Sequence, residues 1–159
     1  MEVLGYVWAR TWNMSIIALR YFNVFGPRQE LADIYAAVIQ KFMCALRGGY
    51  SPVVHGNGKQ TRDFCYVDDA VAATLRALAG KVAGFRASNI AGGQPVSVLE
   101  VLFELESILR TGLTPEYVQA NAWDVQHSWA DLSMAELELG YVPRVPWREG
   151  LRRTVKATG

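Results

Sequence analysis

At 159 residues, with 51% hydrophobic composition and a formal net charge of +1, the chain has the size and make-up of about one folded domain. Its mixed, near-neutral charge argues against a strong electrostatic partner such as nucleic acid or a membrane surface. No stretch approaches the roughly 18 apolar residues that would span a bilayer, and the N-terminus lacks the basic lead, apolar run and cleavage site of a secretion signal. Cys44 and Cys65 have no C-x-x-C spacing and lie in apolar sequence, which predicts reduced core residues of a cytoplasmic protein.

In chain order, Glu2 to Asn13 predicts a helix, because Leu4, Trp8 and Trp12 recur every fourth residue with Val3 and Val7 beside them. It has neither a cap nor a polar lead-in, so the chain reads as beginning mid-element. Ile16–Leu19 is an apolar run without alternation, the pattern of a strand covered on both faces of a parallel sheet. After the Gly26-Pro27 turn, Ile34, Val38, Phe42 and Leu46 form one stripe of a helix from about Asp33 to Arg47, ended by Gly48-Gly49. A strand at Val53–His55, the loop Gly56–Thr61 and a strand at Asp63–Val67 follow, with Asn57-Gly58 the turn of a hairpin-like connection.

Asp68 is placed to cap a helix reaching about Ala79, and Ala87–Ala91 reads as a buried strand closed by Gly92-Gly93. Ser97 and Glu100 make a capping box for the cleanest amphipathic helix of the chain, carrying Val98, Val101, Leu102, Leu105, Ile108 and Leu109 on one face. Tyr117-Val118 is a candidate strand. Ser133 with Glu136 repeats the capping box before a short helix closed by Gly140, and Trp147, Leu151 and Val155 line a last helix after Pro146. Strands alternating with helices place the chain in the α/β class, as one domain over residues 1–159.

Arg20, Tyr21, Phe22 and Asn23 leave the Ile16–Leu19 strand at its carboxyl end, where open α/β sheets hold their ligands. An asparagine with Arg20 and Arg28 suits a phosphate-bearing ligand; a buried strand followed by a polar turn and surface arginines accounts for the same letters. The loop Gly56-Asn57-Gly58-Lys59-Gln60-Thr61 lacks the third glycine of G-x-G-x-x-G, and Gln60 separates Lys59 from Thr61, so it is not a P-loop. Arg62 behind it is placed to fork onto a diphosphate, with a salt bridge to Asp63 or Asp68 as the competing use. His55 and His127 have no partner at metal spacing, so no metal site is expected. No serine has a nucleophile-elbow context, and Asp68-Asp69 reads as a helix N-terminus rather than an acid/base couple.

The segments R-Y-F-N-V-F-G-P-R-Q, G-N-G-K-Q-T-R-D-F-C-Y-V-D-D-A, S-N-I-A-G-G-Q-P-V-S-V and W-A-D-L-S-M-A-E-L-E-L-G-Y-V-P, in that order, resemble the NAD-dependent nucleotide-sugar epimerase/dehydratase family, the extended short-chain dehydrogenases. The UDP-glucose and UDP-N-acetylglucosamine 4-epimerases are its most similar members. The resemblance covers the back half of that family, and Glu2 matches a glutamate on the helix that follows the family's catalytic Tyr-x-x-x-Lys. It implies a partial Rossmann-type set of parallel strands plus the small C-terminal substrate-binding lobe.

For the site, the resemblance implies that Asn23 bonds the diphosphate or sugar and Arg62 clamps the diphosphate. Val53 and His55 lie against the uracil, Val98 contacts the nucleotide, and Asp124 survives from a family Arg-Pro-Gly-Asp that here reads Asn121-Ala122-Trp123-Asp124. Tyr21 and Phe22 match residues flanking the nicotinamide, of use only with a partner half that brings NAD. The family's Ile-Pro reads Ile39-Gln40. The 159 residues contain no G-x-x-G-x-x-G loop and no Tyr-x-x-x-Lys, Tyr6-x-x-x-Arg10 being the nearest approach. The expectation is therefore a UDP-sugar-binding half with no catalytic residue, no metal and no cofactor of its own. Its UDP or UDP-sugar binding would be weak, because losing one charge-assisted contact costs roughly 1.5–3 kcal/mol. Self-association, or pairing with a separately encoded Rossmann half, would cover its open strand edge and the apolar faces of its first helix. The alternatives are an inactive remnant serving as a self-associating interaction module, and an epimerase active only when complemented by a Rossmann half.

Overall fold

The computed structural model describes residues 1–29, 38–80, 82–120 and 123–158. The helix α1 (Glu2–Thr11) leads into β1 (Ile16–Tyr21), which pairs in parallel with β6 (Phe85–Ile90) from Ile16 opposite Phe85 to Tyr21 opposite Ile90. α1 lies on this pair through its small residues. Gly5 sits under the Phe85 ring, Ala9 is buried, and the Tyr6 ring meets Phe85 edge-on at 6.2 Å. The stripe of large apolar residues that identifies this helix in the sequence points the other way, to the exposed side.

β1 is half-buried, not covered on both faces as its composition predicts. Among the described residues it has one strand partner, so its second edge and part of each face stay open. The strands β2 (Val24–Phe25) and β5 (Cys65–Tyr66) make a second parallel pair, and β3 (Val53–His55) pairs in parallel with β8 (Glu116–Val118). β4 (Thr61–Asp63) runs antiparallel to β7 (Pro95–Ser97). The connection at Asn57-Gly58 is therefore a turn but not a hairpin, because the strands on its two sides join different partners. Gly58 has φ +68°, and a side chain there would run into Leu99.

Two cores hold these pairs together. In the larger, Phe25, Phe64 and Tyr66 meet α2 (Val38–Arg47), α4 (Val98–Leu109) and α6 (Trp147–Ala157). In the smaller, α3 (Val67–Ala79) and α5 (Ser133–Leu139) pack Ala73, Ala135 and Leu139 against Cys65, Ile90 and Tyr141. Cys65 is buried as expected, but Cys44 is exposed on α2. The part of the predicted helix before Val38, including Ile34, lies outside the described residues, as do Asn121 and Ala122.

The Ser97–Glu100 box forms as read, whereas α5 begins after Leu132 without a side-chain cap; the Ser133 N–H donates instead to Asp131 Oδ1 at 2.9 Å. α3 likewise starts after Tyr66 with no side-chain cap, so Asp68 lies inside its first turn. Asp69 beside it is buried, and its two carboxylate oxygens accept the N–H groups of Arg144 and Val145 at 3.0 Å each. That aspartate ties the start of α3 to the chain entering α6.

Candidate functional site

Period-two alternation along β3 sends Val54 into the core, at 0% exposure, and leaves Val53 and His55 on the opposite face. They face a cavity of about 870 Å³, whose wall also includes Asn23, Arg62, Val98 and Asp124. All six residues that the family resemblance marks for the nucleotide sugar thus line one hollow. Asn23 reaches it from the end of β1, Arg62 from the middle of β4, and Val98 from the first turn of α4.

The polar groups in this wall are held by the backbone around them. Asn23 donates one amide hydrogen to the Asp63 carbonyl at 3.0 Å, which leaves its second amide hydrogen and its carbonyl oxygen without a partner among the described residues. Arg62 donates to the carbonyls of Thr61 and Val125 through Nη1 and to Asp124 Oδ1 through Nη2, the last at 2.5 Å. Neither Asp63 nor Asp68 takes this guanidinium, although both are close in sequence. Asp63 is fully buried and turns away, its carboxylate accepting the N–H groups of Gly92, Gly93 and Ala130. Burial pushes its carboxyl above the usual carboxylate range, against the pull of those N–H bonds. Gly92 is required here, because a Cβ would stand 2.3 Å from the Phe64 carbonyl oxygen.

One face of α2 completes the hollow with Val38, Lys41, Phe42 and Ala45, four positions at the i, i+3, i+4, i+7 spacing of a single helical face. Sequence reasoning used Val38 and Phe42 only as core residues and passed over Lys41; the spacing was the available signal. Gln60, Phe64 and Trp123 were also not singled out for the site. Gln40 is buried behind this face and donates to the Gly26 carbonyl and to Gln29 at 3.4 Å each.

Tyr21 and Phe22 do not line the cavity. The Tyr21 hydroxyl is bonded to Thr74 Oγ1 at 2.7 Å, and the Phe22 N–H donates to the Ile90 carbonyl. Tyr6 and Arg10, the nearest approach to a catalytic pair, are bonded to each other at 3.0 Å on the outside of α1. The 159-residue sequence contains no glycine-rich dinucleotide loop.

Strand-end placement, a partly apolar wall, an asparagine with free hydrogen-bonding groups and two cations, one of them paired with Asp124, mark this hollow as the candidate ligand site of an α/β fold. The model of the NAD dependent epimerase/dehydratase family matches residues 1–91, more than half of the chain, and the chain belongs to that family. It is 32% identical over 157 residues to a UDP-glucuronate 4-epimerase of Thermodesulfobacterium geofontis, a match covering 97% of this chain and 46% of that protein. The fold superposes on a UDP-N-acetylglucosamine 4-epimerase from Methanobrevibacter ruminantium, solved with UDP-N-acetylmuramic acid, with TM-score 0.92 and 33% identity over 99% of this chain and 50% of that one. A UDP-glucuronic acid 4-epimerase from Bacillus cereus, solved with UDP-glucuronic acid and NAD, gives TM-score 0.87 and 30% identity over 98% of this chain and 49% of that one. The chain spans about half the length of the relatives it matches.

Proposed function

We propose that these 159 residues form the nucleotide-sugar side of an epimerase-type site, binding UDP or a UDP-sugar without turning it over on their own. The observation that carries this reading is the convergence of Asn23, Val53, His55, Arg62, Val98 and Asp124 on one cavity of nucleotide-sugar size. Relatives of the same fold were solved with UDP-sugars, which adds support for the ligand class. Hydride and proton transfer need a positioned nicotinamide and a positioned base. Neither the glycine-rich loop nor the Tyr-x-x-x-Lys that the family resemblance implies for them lies within these residues. NAD would therefore come with a complementing Rossmann half, towards which Tyr21 and Phe22 would contribute.

Calorimetry with UDP tests the binding reading. The expected dissociation constant is on the order of 0.1–1 mM, and Asn23→Ala should raise it about tenfold, the cost of one buried-site hydrogen bond to a charged group. No heat of binding at millimolar UDP would end this reading. A coupled assay with UDP-sugar and NAD is expected to show no turnover by the chain alone and to gain turnover on addition of a Rossmann half.

A second reading rests on a separate observation, the exposed apolar face of α1. In it the chain is an inactive interaction module that self-associates through that face and binds no nucleotide.

A further inference from the structure

Arg62 is one of two basic side chains, Lys and Arg, in the described wall of the cavity, and it already has partners. Its Nη1 serves two carbonyls, its Nη2 serves Asp124, and the Asp124 carboxylate cancels its charge. The other cation is Lys41, one turn along α2 from Val38 and on the same face. Phe42 next to it is sunk in the core and fixes the rotation of the helix, whereas Lys41 is exposed. Lys41 makes no ion pair and no side-chain hydrogen bond among the described residues, and no lysine elsewhere in that wall competes with it. Among the described residues the result is one positive charge without a carboxylate partner, on a wall that also holds Val38, Phe42, Val53 and Phe64. A charge at the solvent-facing side of an apolar wall attracts an anion with an energy that water and salt screen.

We propose that Lys41 is the diphosphate-selecting residue of this site, supplying the uncancelled charge that distinguishes a nucleoside diphosphate from an uncharged nucleoside. The inference rests on the nucleotide-sugar reading above and adds to it a residue and a role. A lysine suits the role because its ammonium is a compact charge on a flexible stem, able to follow a phosphate.

The test compares UDP with uridine by calorimetry on the whole chain, for the wild type and for Lys41→Met and Lys41→Arg. Lys41→Met keeps the length of the stem, and circular dichroism and a thermal melt check that it folds. The expected result is an affinity for UDP reduced about tenfold in Lys41→Met and largely restored in Lys41→Arg, with uridine affinity changed less than about twofold. The dependence of UDP binding on salt should also flatten in Lys41→Met. If the wild type binds UDP, Asn23→Ala weakens it and Lys41→Met does not, this inference is overturned while the nucleotide-sugar reading stands. If Lys41→Met weakens uridine as much as UDP, the residue acts through packing and the inference again fails. If the wild type binds no UDP, both fall together. Should Lys41→Met unfold, Lys41→Gln carries the same comparison.

Discussion

The carboxylate partner of Arg62 is Asp124, a residue 62 positions further along the chain. A sequence offers only near neighbours as salt-bridge partners, here Asp63 and Asp68. The first is withdrawn into a nest of backbone N–H groups and the second pairs with Arg153 at 3.7 Å. The six residues that line the hollow were picked out by the family resemblance, five of them in or next to a strand or helix and Asp124 in the connection between β8 and α5. Lys41 was not, because a lysine on a helix is read by default as solvated surface. The two cysteines show the same limit, since both lie in apolar sequence and only one is buried. Burial raises the Cys65 thiol to about 11, so only ~10⁻⁴ of it is ionised at pH 7. Native protein treated with a thiol-specific disulfide reagent at neutral pH should therefore titrate one fast thiol, Cys44, and release the second only in denaturant. Two fast thiols in the native state would contradict the packing of Cys65 against Tyr141.

At the scale of elements, identical local patterns have different fates. Ser97-x-x-Glu100 and Ser133-x-x-Glu136 are the same signature, yet only the first closes into a capping box, with Glu100 accepting from the Ser97 N–H at 2.8 Å and hydroxyl at 2.7 Å. Near the second, Asp131 takes the Ser133 N–H and moves the helix start by one residue. The Asn57-Gly58 turn was legible from its residues, but strand pairing was not, since β3 finds β8 and β4 finds β7 across long separations. The capping box also makes a pH prediction. Hydrogen bonding by the Ser97 hydroxyl and then its N–H holds the Glu100 carboxyl below its ordinary value. A lowered folded pKa means that the contribution is complete above the unfolded value, about 4.3, and is lost as pH falls through the folded one. Glu100→Ala should cost about 0.5–1 kcal/mol in urea unfolding at pH 7, and that difference should shrink as the pH falls below 4. A difference that stays constant into acid would assign the effect to packing instead.

Among the described residues, α1 carries a run of exposed large apolar side chains. Val3, Leu4, Val7, Trp8 and Trp12 are between 47 and 76% exposed, while the face turned to the sheet is made by Gly5 and Ala9. A helix of this kind is ordinary only when both sides have company, because apolar side chains left in water forfeit on the order of 25 cal/mol per Å² that burial would recover. The open edge of β1 lies beside it, so one covering body could satisfy both. Either a second copy of this chain or a complementing half of the family fold answers that need, and the two make different predictions. If copies cover each other, light scattering at tens of micromolar should give a dimer or larger species. The double variant Trp8→Glu, Trp12→Glu should then dissociate it to a monomer with unchanged helical content, since neither ring is part of the core. If the complementing half is the natural cover, the chain alone associates without a defined stoichiometry and adding that half converts it to a single one-to-one species. A clean monomer at high micromolar concentration, indifferent to both variant and partner, would mean that this face needs no cover at all.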